Sequence, residues 1–251
     1  MRPILATMAA FAALACLADP LPALVQQELP AAPVPRTLGV FRPEIGLLAG
    51  HLESRMAPLP IFETGEPTGK WAPSGSRDEF WNRGRLGPKG TSQITAFELI
   101  WVSRALESEG PIVVRFHEQN ADGTLGHLAR EVSLAELPRG GPEGEARAWK
   151  VLVDLSGGQE FLLKNPSGFF YWSLACPESE TGPYLAFPGP GAGTLQPEGM
   201  SLVLHGSPPG VTAFHPRNPG PGDSLVLIAS TPDPEGWVHW ELPGTPEGGP
   251  H

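Results

Sequence analysis

Alternation of apolar residues at every second position is the feature that most constrains this chain. Phe97, Leu99 and Trp101 alternate with Glu98, Ile100 and Val102, and Ile112, Val114 and Phe116 with Val113, Arg115 and His117. Trp149, Val151, Val153 and Leu155 follow the same rule, as do Phe170, Trp172, Leu174 and Cys176. Leu225, Leu227 and Ala229, then Val238, Trp240 and Leu242, continue it. A period of two sends successive side chains to opposite faces of a sheet, and β-branched and aromatic residues fit a pleated, half-buried surface. Between these runs lie turn formers: Asn120-Ala121-Asp122-Gly123, Gly140-Gly141-Pro142, Ser156-Gly157-Gly158, Asn165-Pro166-Ser167-Gly168 and Pro219-Gly220-Pro221-Gly222. The first predicts a hairpin between a strand ending near His117 and another near Leu128 to Leu134, with Gly or Asn supplying positive φ. Many short strands with semi-apolar faces on both sides predict an all-β, antiparallel β-sandwich, jelly-roll-like, with a proline-rich N-terminal extension.

The chain holds 31 glycines and 31 prolines among 251 residues, a level that borders on low complexity. Seven Trp, eleven Phe and a charged fraction of only 18% point instead to a folded domain with many tight turns. Residues 19–57 are proline-rich and predict a linker, with a short helix as an alternative over part of Pro43 to Met56. The sandwich is expected over residues 58–242 and a loose Gly/Pro tail over 243–251.

Residues 1–18 read MRPILATMAAFAALACLA: one Arg, an uncharged alanine-rich run, then small residues. This is the pattern of a signal peptide, and it is shorter than the roughly 20 residues of a spanning helix. An exported protein, at the cell surface, in the periplasm or outside the cell, is therefore expected. Two processing outcomes fit. Ala12-Ala13-Leu14-Ala15-Cys16 matches a loose lipobox, with Ala13 where Leu is preferred, and makes Cys16 a candidate lipid anchor. Cleavage after Ala18 would instead discard Cys16. In both cases Cys176 has no cysteine partner in the mature chain, and its place in an alternating strand predicts a buried structural thiol.

A formal net charge of −10 excludes a nucleic-acid partner in the ordinary sense, because phosphates require a Lys/Arg surface. It leaves a membrane contact only through the lipid anchor.

Four motifs in order carry a resemblance: Gly90-Thr91-Ser92-Gln93-Ile94-Thr95-Ala96-Phe97, Val114 to Gly123 in the pattern V-R-F-x(5)-D-G, Trp149-Lys150-Val151-Leu152-Val153-Asp154-Leu155-Ser156-Gly157, and Thr181-Gly182-Pro183-Tyr184-Leu185. Over about half the chain this is similar to a family of exported bacterial β-sandwich proteins of unassigned activity. The resemblance implies the fold and export, and it implies no catalytic or binding residues. Members often end in a sorting signal with an apolar helix and a basic tail; its absence here makes the Cys16 anchor more attractive.

No catalytic signature is present. Gly206-Ser207-Pro208-Pro209-Gly210 lacks the nucleophile-elbow pattern, and His117, His205, His215 and His239 form no H-E-x-x-H or H-x-H pair. In so acidic a chain, sequence cannot single out a glycosidase pair of carboxylates. Asn120 and Asp122 with Gly123 are a weak calcium-loop candidate, against the plainer reading of a hairpin turn. Trp71, Trp81, Tyr171, Tyr184 and Trp237 are candidates for an exposed aromatic surface. Trp237, His239 and Glu241 alternate with Val238, Trp240 and Leu242; if the latter are core, the former make a ligand-binding strip. The expectation is a non-catalytic exported binding protein without a cofactor, its partner a polysaccharide or another envelope protein. The alternatives are an envelope structural or protein-interaction module, and a secreted hydrolase.

Overall fold

The computed structural model describes residues 23–26, 29–49, 60–75, 77–86, 89–186, 199–207, 226–229 and 238–241. In chain order the strands are β1 (Ala23–Gln26), β2 (Arg36–Arg42), β3 (Gly46–Ala49), β4 (Pro60–Glu63), β5 (Pro67–Trp71), β6 (Asp78–Arg85), β7 (Gly90–Ser103), β8 (Ile112–Gln119) and β9 (Leu125–Leu134). They continue as β10 (Arg147–Asp154), β11 (Phe161–Asn165), β12 (Phe169–Cys176), β13 (Thr181–Ala186), β14 (Gly199–Met200), β15 (Leu202–Ser207), β16 (Val226–Ala229) and β17 (Val238–Glu241). A single 3-10 turn, Pro142–Gly144, is the only helical element among the described residues.

The strands form two sheets. One runs β1-β16-β17-β6-β12-β8-β9. The other has ten strands, with β14-β13-β7-β10-β2-β3 as its path and β4, β5, β11 and β15 beside it. Successive strands switch sheets repeatedly: β6 lies in the first, β7 in the second, β8 and β9 in the first, β10 and β11 in the second, β12 back in the first. The β-sandwich expected from the alternation is the observed fold. Two pairs, β2 with β10 and β6 with β17, run parallel in an otherwise antiparallel arrangement.

The alternating apolar residues fill the space between the sheets. Phe170, Trp172, Leu174 and Cys176 of β12 and Ile112, Val114 and Phe116 of β8 face Phe97, Leu99 and Trp101 of β7 and Val151 and Val153 of β10 in one core. Ring contacts join the layers: Phe97 meets Phe116 edge-on at 5.3 Å between centroids, and Phe62 of β4 meets Phe170 at 5.1 Å. Aromatic pairs in this geometry add to the burial of their area.

The stretch expected to be a linker is sheet in part of its described length. β2 pairs with β10, and β3 pairs back on β2, so residues 46–49 are strand where a helix was an alternative. The β2–β10 register skips Leu38, next to Gly39, whose φ of 128° is costly for any residue with a Cβ. Upstream, Ala31 bridges Lys70, Trp71 N–H donates to Pro30 O, and Ala32 packs on a second apolar cluster of Trp71, Ile100, Val102, Ala148 and Tyr184. Prolines suit this covering segment because few of its donors enter a ladder.

One end of the sandwich is tied by a buried ion pair. Arg139 and Glu178 each have side chains only 3% exposed. Arg139 also donates to Leu137 O at 2.8 Å, to Ser108 Oγ at 2.9 Å and to Gly110 O at 2.7 Å. Ser74 Oγ donates to the Glu178 carbonyl at 3.0 Å.

Candidate functional site

On the seven-stranded sheet the positions that alternate with the core set carry a cluster of polar residues with a few aromatic ones. β6 contributes Glu79, Trp81 and Arg83; β12 contributes Tyr171 and Ser173; β8 contributes Arg115, His117 and Gln119; β9 contributes Glu131. Register aligns them into rows. Trp81, Ser173, Arg115 and Glu131 lie level across four strands, and Arg83, Tyr171 and His117 form the next row.

Arg115 is the centre. Its Nη1 lies 2.7 Å from Glu79 Oε1 and its Nε 2.8 Å from Glu131 Oε2. Ser173 Oγ donates to Glu79 Oε1 at 2.5 Å. Burial works against the Arg115 charge, but the two carboxylates outweigh it and its pKa is raised. Glu79 is 2% exposed and forms the floor, whereas the Glu131 side chain is 48% exposed and forms the rim. The His117 ring lies 5.2 Å from Trp81, with Nδ1 3.4 Å from Gly126 O. Burial lowers the pKa of its imidazole, so the ring is predominantly neutral at pH 7.

A second group adjoins the first. Arg83 stacks 4.0 Å over the Phe169 ring and donates from Nη2 to Gln119 Oε1 at 2.9 Å. Gln119 is fully buried; its amide nitrogen donates to Gly123 O at 2.6 Å and to Tyr171 Oη at 3.3 Å, and its oxygen also accepts from Ser167 Oγ at 2.9 Å. Tyr171 Oη donates to the same Gly123 carbonyl at 2.9 Å. The hairpin tip is thereby fastened to this face of the sheet.

The sequence candidates fall as follows. Trp237 lies outside the described residues, as does Cys16. The β17 backbone sets His239 in register with Glu79 and Glu241 with Trp81, so two positions of the expected strip adjoin the Arg115 group. Asn120 and Asp122 close the hairpin tip. Asp122 Oδ1 accepts from Thr124 N at 3.0 Å and Thr124 Oγ1 at 2.7 Å, and Asn120 Nδ2 donates to Thr124 Oγ1 and Leu125 O, each at 3.0 Å. Gly123 takes φ 94°, as the turn requires. Among the described residues no three His, Cys, Asp or Glu stand together as a metal site.

Among the described residues the aromatic candidates do not form an exposed platform. Trp71, Trp81, Tyr171 and Tyr184 are all buried, Trp71 and Tyr184 on the ten-stranded sheet and Trp81 and Tyr171 on the other. A sequence cannot separate an exposed aromatic from one covered by neighbouring side chains on the second face of a sheet. His205 is buried beside Glu98, with Nε2 3.1 Å from Oε1, away from the other candidates. Arg83, Arg115, Glu79 and Glu131 escaped the sequence reading; their only signal is a polar residue at the outward positions of an apolar strand.

Comparison with models of protein families, with curated proteins and with solved structures finds no match to this chain.

Proposed function

We propose that this chain is an exported, non-catalytic binding protein of the bacterial envelope or cell surface, and that the polar face of its seven-stranded sheet recognises polysaccharide. The observation that carries the reading is the Glu79–Arg115–Glu131 group, a row of fixed donors and acceptors beside the Trp81 and His117 rings. Vicinal hydroxyls of a sugar pair with just such alternating donors and acceptors, and side chains already held by one another lose little freedom on binding. A binding role is favoured over hydrolysis because a single guanidinium engages both carboxylates. A glycosidase needs them facing one another across the scissile bond, one of them able to donate a proton. The signal-peptide pattern of residues 1–18 and the four ordered motifs support export.

Retardation of the purified protein in gels cast with soluble polysaccharides tests the reading. Glu131→Gln alters the rim without unpairing the buried floor. It is expected to weaken binding several-fold while leaving the melting temperature close to that of the parent. Retardation by no polysaccharide, or full retention of binding in both Glu131→Gln and Arg115→Lys, would exclude it. Intact mass and amino-terminal sequencing of protein from host fractions test the address: acylated Cys16 or a free Asp19 supports export, and an intact Met1 in the cytosol opposes it.

A second reading, recognition of another envelope protein, is favoured by β9, a ten-residue strand without proline that ends the seven-stranded sheet among the described residues.

A further inference from the structure

The arginines of this chain are not equivalent. Among the described residues, Arg42, Arg104, Arg115, Arg139 and Arg147 each pair with a carboxylate. Arg83 does not. It stacks on the Phe169 ring and donates to the neutral Gln119 amide, and a second cation, Arg85, lies 5.7 Å from the centroid of the same ring. Its Nε is buried without an acceptor. Burial lowers its pKa, with Tyr171 opposing, as expected of a cation short of counter-charge. A half-buried guanidinium with one neutral side-chain acceptor keeps donors free to receive an anion.

The group is also immobilised. Phe169 supports the plane of the guanidinium from one side. Gln119, which orients Nη2, is fully buried and held by Gly123, Tyr171 and Ser167. Such a cation is preorganised for a planar anion, because two guanidinium N–H groups match the two oxygens of a carboxylate. The two-acid Arg115 group lies one row away on the same sheet. Neutral hydroxyls can therefore be read at Arg115 and a negative group at Arg83 within one ligand.

Resting on the polysaccharide reading above, we infer that Arg83 is the specificity-determining residue of this face and receives the carboxylate of a uronic-acid polysaccharide. The chain's net charge of −10 repels polyanions in general. Retention of one is thus the mark of a local site and not of bulk attraction.

The test measures affinity of the full chain for polygalacturonate, alginate and hyaluronate, for fully methyl-esterified polygalacturonate, for dextran sulfate, for dextran and for poly-glutamate. At least one uronate polymer is expected to bind, about tenfold or more tighter than the neutral ester. Arg83→Gln should lose about 10- to 100-fold on that polymer. Arg83→Lys, which keeps the charge without the planar fork, should lose most of the same factor. Phe169→Leu should give a smaller loss, since it loosens the support alone. Thermal melts establish that each variant is folded. Equal affinity for acid and ester, with no effect of Arg83→Gln, overturns the inference and leaves polysaccharide binding intact. Tighter binding of dextran sulfate than of every uronate polymer overturns the carboxylate assignment. Equal binding of poly-glutamate, still lost in Arg83→Gln, removes the sugar and keeps the anion site. Failure of all the glycans overturns both readings.

Discussion

Replacing Arg139 by Met should be among the most damaging single changes outside the apolar core. The substitution keeps most of the stem but removes the charge. It leaves the Glu178 carboxylate buried without its ion-pair partner and deprives Leu137 O, Gly110 O and Ser108 Oγ of donors. Breaking one side of a buried pair costs about 3–5 kcal/mol, because the stranded charge keeps its desolvation penalty. For a domain of this size, with about 2–4 °C per kcal/mol, the melting temperature should fall by roughly 6–20 °C. Replacing both partners, Arg139→Met with Glu178→Leu, should recover a large part of the loss, since an apolar pair of similar volume owes no such penalty. Urea unfolding followed by tryptophan fluorescence supplies each free energy, and the coupling in the double-mutant cycle should exceed about 2 kcal/mol. A single-variant cost under about 1 kcal/mol would refute the reasoning. So would a double variant as unstable as the sum of its parts, because either result means that the pair is not desolvated as its burial implies.

Two further outcomes follow from other groups. Glu98 sits between His205 and Lys150 on the ten-stranded sheet; the hydrogen bond with His205 is the largest influence, burial opposes it, Lys150 adds to it, and the carboxyl is pulled down to about 2. A depressed carboxyl stabilises the fold fully above its unfolded pKa of about 4.3 and loses that contribution as pH falls towards 2, so Glu98→Gln should flatten the melting temperature against pH in that window; identical slopes would count against it. Cys176 is fully buried, and burial raises its thiol pKa well above the usual range, so in a Cys16→Ser chain it should react with a disulfide reagent only on unfolding, and rapid native labelling would contradict that.

What was legible in the sequence was what period two encodes. β7, β8, β10 and β12 stand where Phe97, Val114, Val151 and Trp172 alternate with their neighbours, and the hairpin forms at Asn120 to Gly123. β2 and β3 were hidden because Gly39, Gly46 and flanking prolines have poor intrinsic strand preference; β2 is held by β10 and β3 in turn by β2. β6 was hidden because Asp78 and Asn82 put polar groups where an alternating pattern calls for apolar ones. The candidate site was the least legible. Its residues are scattered from Glu79 to Ser173 in sequence, and only the neighbour order β6-β12-β8-β9 draws them together. Strand order depends on long-range closure and leaves no local mark.

The position of β17 has a consequence for biosynthesis. The last of the described strands is inserted beside β6, and the first of them hangs on β16 at the far side of it. A nascent chain that has emerged only as far as β15 cannot complete this sheet: β6 presents a bare edge, and β1 has nothing to pair with. The seven-stranded sheet closes only after residues 226–241 have left the ribosome, and pairings between strands so distant in sequence slow its completion.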